Sequence, residues 1–378
     1  MTWVVPAGYA LFLALIAYRY ATRRPRLTAY PPQPTGPLIS VIVPARDEAV
    51  NIERCVGSIL ATAYQPVEVI VVDDRSSDAT PATVERLARS SAAQGRLRLV
   101  PGAELPPGWF GKPWAIVQGY RVARGELLLF TDADTWHHPE LIPRTVTALR
   151  AERVDLISVL ARQETVTFWE RLVQPHVLVA LASRVGDLRR VNRTRITWDA
   201  IASGAYILTT RVAYERVGTH EAVKQSVAED LALAQSYVRH HLDIFLTHAA
   251  EFMSVRMYRS LAEVVAGWSK NLALGVPLMF PPIRLVRRAA PYLMWLPALC
   301  WIVPPVLWAV YGWGWGWAAA TTVVSLAIWM TVYWAEGAPL RYALLYPLGA
   351  AMVAYIMIRS AIRGGRRVEW RGRVYRAD

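Results

Sequence analysis

Cysteine is almost absent: Cys55 and Cys300 are the only two in 378 residues. They lie far apart, one in the more polar part of the chain and one in an apolar run. Neither a disulfide framework nor a thiolate metal site is expected from them, and a reducing, cytosol-facing main domain fits. Lysine is scarce too, so arginine carries most of the formal net charge of +13. No Lys-rich tail and no zinc-finger spacing is present, which leaves nucleic acid without support as a partner. Also missing is a basic start or a small-residue cleavage pattern at the beginning of the chain. The first apolar run, "WVVPAGYALFLALIAYRY", is followed by its positive charges. That is the pattern of a signal anchor, with its N-terminus outside and residues from Arg23 onward in the cytosol.

Apolar residues are in excess. They make up 54% of the chain, against roughly 45–50% in ordinary soluble domains. The excess lies in residues 3–20 and again after about residue 289, in segments near 290–311, 315–334 and 340–358. A hydrocarbon core needs about 20 apolar residues in helical form, so one N-terminal and about three C-terminal transmembrane segments are expected. Trp and Tyr crowd the segment ends, and "GWGWGW" (312–317) reads as part of an interfacial belt. Arginines sit beside the apolar runs in "RYATRRPR", "RLVRRAA" and "IRSAIRGGRR", which favours the inner surface of a cell membrane as partner. Four spans would put the C-terminus outside, whereas the basic tail belongs inside. Pro304 and Pro305 offer one reconciliation, a re-entrant hairpin in the first segment.

Between these ends the pattern changes. "TAYPPQPTGP" is a Pro-rich spacer. From Leu38, β-branched runs ("LISVIV", "VEVIVV", then "RLRLV", "ELLLF", "VDLISVL") alternate with amphipathic stretches such as "AVNIERCVGSILAT" and "TPATVERLARSSAA". Such alternation predicts an α/β fold with a doubly wound sheet and ligands at the carboxyl ends of its strands. Residues 164–190 form an apolar-faced helix too interrupted to span, lying on the membrane or under the sheet. "AIASGAYILTTRVAYERVG" reads as a strand and a short helix, and "VAEDLALAQSYVRHH" as a helix. The expected partition is an anchor over 1–22, a linker over 23–37, a catalytic domain over 38–288, membrane segments over 289–360 and a basic tail over 361–378.

Three acidic clusters carry the chemistry. "VIVVDDRSSDAT" ends a strand with Asp73 and Asp74, placed to accept hydrogen bonds from a base or a ribose. "LLLFTDADT" supplies Asp132 and Asp134, which repel one another unless a cation or a shared proton intervenes; Mg²⁺ or Mn²⁺ bridging them to substrate phosphates resolves this. "SVAEDLALA" opens a helix with Glu229 and Asp230, a position suited to a general base. Each cluster alone is more often a cap or an Asx-turn than a site, but three such clusters in series, two closing apolar strands, exceed what capping explains. His137 and His138 read as a solvated turn after the second cluster, and His240 and His241 as a helix end.

Together, "VIVPARDEAVNIERCVGSIL", "VIVVDDRSSDAT", "GKPWAIVQGYRVARGELLLFTDADT" and "SVAEDLALA" resemble family 2 glycosyltransferases of the GT-A fold, over about residues 38–275. With its flanking apolar segments the chain looks most like the bacterial membrane branch that includes ceramide glucosyltransferases and carotenoid- and hopanoid-associated enzymes. The resemblance implies that Pro44, Arg46 and Glu48 contact the nucleotide, that Asp73 and Asp74 hold uracil and ribose, and that Lys112 lies near the nucleotide. It implies a metal motif in Asp132 and Asp134 and a catalytic base in Asp230, with Glu229 beside it. Processive and ceramide-type members carry Q/R-x-x-R-W near the end of the domain. This chain has "VVAGWSKN" there, so Trp268 and Lys270 are the candidates for the acceptor and diphosphate roles.

The function expected is inverting, metal-dependent transfer of a sugar, from a UDP-sugar in this reading, to a lipid hydroxyl or carboxyl at the cytosolic leaflet. A processive polysaccharide synthase and a non-catalytic nucleotide-sugar-binding scaffold are the alternatives. The small number of spans and the missing Q/R-x-x-R-W weigh against the first. The presence of Asp132, Asp134 and Asp230 weighs against the second.

Overall fold

The computed structural model describes residues 4–21, 25–93, 95–312, 316–363, 368–370 and 373–375. Parts of the "GWGWGW" stretch and of the basic tail therefore lie outside the described residues. Helix α1 (Val4–Ala21) leads into strand β1 (Thr35–Ala45), α2 (Ile52–Leu60), β2 (Gln65–Asp73), α3 (Thr80–Ala88), β3 (Leu97–Pro101), α4 (Gly111–Val122) and β4 (Leu127–Thr131). There follow β5 (Thr135–His137), α5 (Leu141–Ala151), β6 (Leu156–Leu160), β7 (Arg162–Gln163), α6 (Phe168–Val185), α7 (Leu188–Val191), β8 (Tyr206–Thr210) and α8 (Arg211–Arg216). The chain continues through α9 (Glu229–Arg239), β9 (Ile244–His248), β10 (Met253–Val255), α10 (Leu261–Gly275), α11 (Arg284–Leu293), α12 (Leu296–Tyr311), α13 (Gly316–Ala335) and α14 (Tyr346–Arg363). Strands β11 (Val368–Trp370) and β12 (Arg373–Tyr375) pair antiparallel.

The local signals explain these elements. Strand β4 is buried along its whole length, as an apolar run in a sheet covered on both faces must be. In α2 the residues Ile52, Cys55, Val56, Ile59 and Leu60 are buried, the 3.6-residue stripe of a helix lying on a core. Helix α6 starts on a capping box, with Thr167 accepting from the Glu170 backbone N–H and the Glu170 carboxylate accepting in return.

Seven strands form the main sheet in the order β3-β2-β1-β4-β8-β6-β9. Strands β1 to β4 run parallel, as expected. The sheet is mixed, however, because β8 is antiparallel to both neighbours; this corrects the expectation of a plain doubly wound sheet. From the carboxyl end of β6 the chain passes through β7, α6 and α7, then re-enters the sheet from that same end at Tyr206. A strand entering from that side can only run backward. A second sheet, β5-β10-β7, lies beside the carboxyl ends.

One apolar core fills the face of the sheet covered by α2 and α5, and another fills the face covered by α4, α8 and α9. A third is built mainly from helices, with Leu13 of α1, Leu172 and Val173 of α6, Trp268 and Leu272 of α10, Trp329 and Tyr333 of α13 and Ile356 of α14. The expected helix near 164–190 thus packs against other helices. Among the described residues two helical stretches, Gly316–Ala335 and Leu340–Ile362, are long and apolar enough to cross a membrane; Pro6–Leu15 and Leu296–Tyr311 are apolar but shorter. Helix α12 continues through Pro304 and Pro305, so the anticipated hairpin is not formed.

Candidate functional site

The end of β4 sets the centre of the site. Thr131 donates its hydroxyl to Ala205 O (2.7 Å), and Thr135 donates to Asp132 O (2.8 Å), fixing the turn between them. His137 packs beneath that turn, its Nε2 3.1 Å from Thr131 Oγ1 and 3.0 Å from Thr135 Oγ1. It is buried, with burial pushing it down to about 3. This corrects the reading of a solvated turn: β5 pairs with β10, which lays the imidazole inside as a neutral core group. Cys55 lies below the same turn with its thiol pushed up to about 12, burial being the main cause. It is inert packing.

Helix α9 approaches from the other side. Asp230 is held by two backbone donors: Gly204 N to Oδ2 (2.7 Å) and Leu231 N to Oδ1 (2.7 Å). Between the two acidic groups stands Lys112, second residue of α4. Its Nζ is 2.6 Å from Asp132 Oδ1 and 2.7 Å from Glu229 Oε1. Burial opposes the ammonium charge, but Asp132, Glu229 and Asp230 together outweigh it and hold Lys112 well above the usual lysine value. Burial, then Asp132 and Glu48, push Asp134 up to about 8. Glu229 is pushed up to about 7, by burial first and then by Asp230, against the pull of Lys112. Asp230 is raised as well, again chiefly by burial. A cluster this rich in carboxylates calls for further positive charge.

Pro44, Arg46, Glu48, Lys112, Asp132, Asp134, Glu229, Asp230, Trp268 and Lys270 all line one cavity of about 1510 Å³. Asp73 and Asp74 are not among its lining residues. They sit behind the rim, where Arg46 Nη1 donates to Asp74 O (2.6 Å) and Gly102 N to Asp73 O (2.8 Å). The far wall of the cavity is apolar: Leu178, Leu181 and Val185 of α6, Leu272 of α10, and Val332 of α13.

Two residues escaped the reading of the sequence. Gly204 lies so close to the cluster that a Cβ there would be 3.0 Å from Lys112 Nζ and 3.1 Å from Asp230 Oδ2. Tyr258 is buried in the cavity wall, its ring 5.9 Å from that of Trp268 and its hydroxyl accepting from Asn271 Nδ2 (3.3 Å). The negative charge of Asp134 helps keep this phenol protonated, after burial. The Tyr258 ring lies where a side chain on Gly267 would go. The only sequence signal was the glycine before Trp268, at the position where the processive motif has arginine.

A divalent cation fits this donor set. Asp134 Oδ1 is buried with no hydrogen-bond partner, beside Asp132. Among the described residues no three His, Cys, Asp or Glu side chains converge as a complete ligand set. A cation here would therefore take Asp132 and Asp134 and complete its shell with substrate phosphates and water, the habit of Mg²⁺ and Mn²⁺.

Residues 40–218 match the model of the family described as Glycosyl transferase family 2. The chain is also similar to 4,4'-diaponeurosporenoate glycosyltransferase of Staphylococcus aureus (strain USA300), 28% identical over 246 residues. That match covers 63% of this chain and 61% of the relative, so it spans somewhat less than two thirds of the relative's length. Among solved structures, the mannosyltransferase PcManGT from Pyrobaculum calidifontis, in complex with GDP-Man and Mn²⁺, matches with a TM-score of 0.55 at 20% identity. The match covers 96% of both chains, and it identifies the same GT-A-like fold.

Proposed function

We propose that this chain, built around a family 2 glycosyltransferase domain over residues 40–218, transfers one sugar from a nucleoside diphosphate sugar to a membrane lipid. In this reading the donor is a UDP-sugar, the anomeric carbon is inverted, and the catalytic domain faces the cytosol. The helices α1 and α12 to α14 hold it at the membrane. The observation that carries the proposal is the single cavity joining the acidic cluster to the apolar wall of α6, α10 and α13. Its volume of about 1510 Å³ exceeds the ~300–1,000 Å³ that one small ligand needs. It has space for a polar donor and an apolar acceptor together. The relative's name makes 4,4'-diaponeurosporenoate, a carboxylate, its acceptor, which favours a lipid carrying a hydroxyl or carboxyl here as well.

The residues divide the work as follows. Asp230, anchored by Gly204 and Leu231, takes the proton of an acceptor hydroxyl. The freed oxygen bonds to the anomeric carbon as that carbon's bond to the diphosphate breaks. Burial has already raised the proton affinity of Asp230, which suits a base. No second carboxylate nucleophile is required, since a single displacement inverts the centre. Trp268 offers a buried indole N–H without a partner in the same cavity, and we assign it to the acceptor or the diphosphate with Lys270. Arg46 and Glu48 line the donor end. Asp132 and Asp134 would hold the cation, which when bound neutralises the departing diphosphate.

Membranes containing the protein, incubated with labelled UDP-sugars and analysed by lipid mass, should yield a lipid heavier by one hexose. Asp230→Asn should lower that transfer about 10²–10⁴-fold, the usual contribution of a general base, with UDP affinity nearly unchanged. Thorough chelation should abolish transfer. Undiminished turnover in Asp230→Asn removes the assigned base, and long polymer in place of a single addition favours a synthase.

A further inference from the structure

The ammonium of Lys112 spans the site. With Nζ 2.6 Å from Asp132 Oδ1 and 2.7 Å from Glu229 Oε1, it ties the end of β4 to the start of α9. Gly204 closes a third side, leaving no room beyond it for even a methyl group at ordinary contact distance. Asp132 is also one of the two carboxylates proposed above to hold the divalent cation. A carboxylate oxygen that accepts from an ammonium at 2.6 Å has that direction already taken, and a dication approaching it meets a fixed positive charge. The neighbouring Asp134 Oδ1 is buried and has no hydrogen-bond partner. The protein's own cation and the incoming one thus compete for one wall of the cluster, while the other carboxylate keeps one oxygen without a partner.

Building on the proposed metal-dependent transfer, we propose that Lys112 is a resident counter-ion that keeps the divalent cation out until a nucleoside diphosphate arrives. Its flexible four-carbon stem lets the ammonium turn from Asp132 toward a diphosphate without moving the backbone of α4. The diphosphate then supplies the negative charge that Lys112 gives up and the oxygen ligands that Asp132 and Asp134 alone lack. Metal and nucleotide bind cooperatively in consequence, and by linkage each raises the affinity of the other by the same factor. Lys112 is here a positioning residue: it controls when Asp132 is free.

The test is Mn²⁺ binding by the full-length protein in detergent, followed through the electron paramagnetic resonance of free Mn²⁺, with and without UDP and then GDP. In the wild type, nucleotide should tighten Mn²⁺ binding by about tenfold or more, within the usual range of coupling. Lys112→Met should bind Mn²⁺ alone about tenfold more tightly than the wild type does, and its gain from nucleotide should shrink by at least about threefold. Lys112→Arg, which keeps the charge, should bind Mn²⁺ alone as weakly as the wild type. Equal affinities of wild type and Lys112→Met for Mn²⁺ alone overturn the proposal. If Lys112→Met does not fold, the wild type decides: no effect of nucleotide on Mn²⁺ affinity overturns it. Wild-type protein that binds no Mn²⁺ with either nucleotide overturns it together with the metal-dependent reading beneath it. Bound Mn²⁺ that is indifferent to Lys112→Met sinks this inference alone.

Discussion

Asp134 shows how one residue couples the site to folding. Its carboxyl is pushed up to about 8, while an unfolded aspartate titrates near ~3.9. Glu229, pushed up to about 7, adds to it from an unfolded value near ~4.3. The folded, metal-free protein therefore keeps protons that the unfolded chain has already released. Stability is fully present below about pH 4 for these groups and is lost as pH rises through 7 and 8. The melting temperature in excess chelator should fall between pH 5 and pH 8.5, and Asp134→Asn should flatten much of that slope. A melting temperature that holds steady or rises over this window would contradict it. The acidic residues themselves were legible in the sequence, because aspartates after an apolar strand are conspicuous. Gly204 was not: its constraint comes from Lys112 and Asp230, residues that reach it only through the fold. His137 misled for the same reason, since its burial depends on the pairing of β5 with β10.

At the scale of elements, α10 is set by one close approach. The Tyr258 ring fills the space next to Gly267, and Trp268 then turns its indole toward the cavity. Adding a methyl at residue 267 forces a buried ring out of place, an overpacking cost of about 1–3 kcal/mol. Gly267→Ala should lower the denaturation midpoint accordingly. Pairing it with Tyr258→Ala should recover part of the loss, so that the double variant is more stable than the sum of the single changes. Strictly additive losses would show that the two do not press on each other. Most elements were legible because their periodicity is strong: α2 buries a helical stripe and β4 a continuous run. The direction of β8 was not, since an apolar strand looks the same read either way and only the path through α6 and α7 decides it. The stretch before Trp268 matched no expected motif, and its glycine acquires meaning only beside Tyr258.

Over the whole molecule, the α/β part and the apolar helices share a core. His176 of α6 stacks on Trp329 of α13 with centroids 3.6 Å apart, and its Nε2 faces Tyr346 O at 3.1 Å. Gly349 of α14 lies against the same imidazole, with no space for a side chain between them. Cutting the chain after Pro282 would strip these partners from Leu172, Val173, Trp268 and Leu272, all now buried. The truncated protein should aggregate in size-exclusion chromatography without detergent, whereas the full chain in detergent should run as a discrete species. A monodisperse, soluble fragment would show that the two parts are separable.

The sequence by itself determined the α/β alternation, the apolar ends and the identity of the acidic residues, because these rest on local periodicity and on the composition of short stretches. The tertiary structure alone decided which carboxylates share a wall, which imidazole is buried, and that Lys112 bridges β4 to α9. Charges and rings act on one another over a few ångströms in space, and separations along the chain of about 20 to more than 100 residues carry no record of that distance.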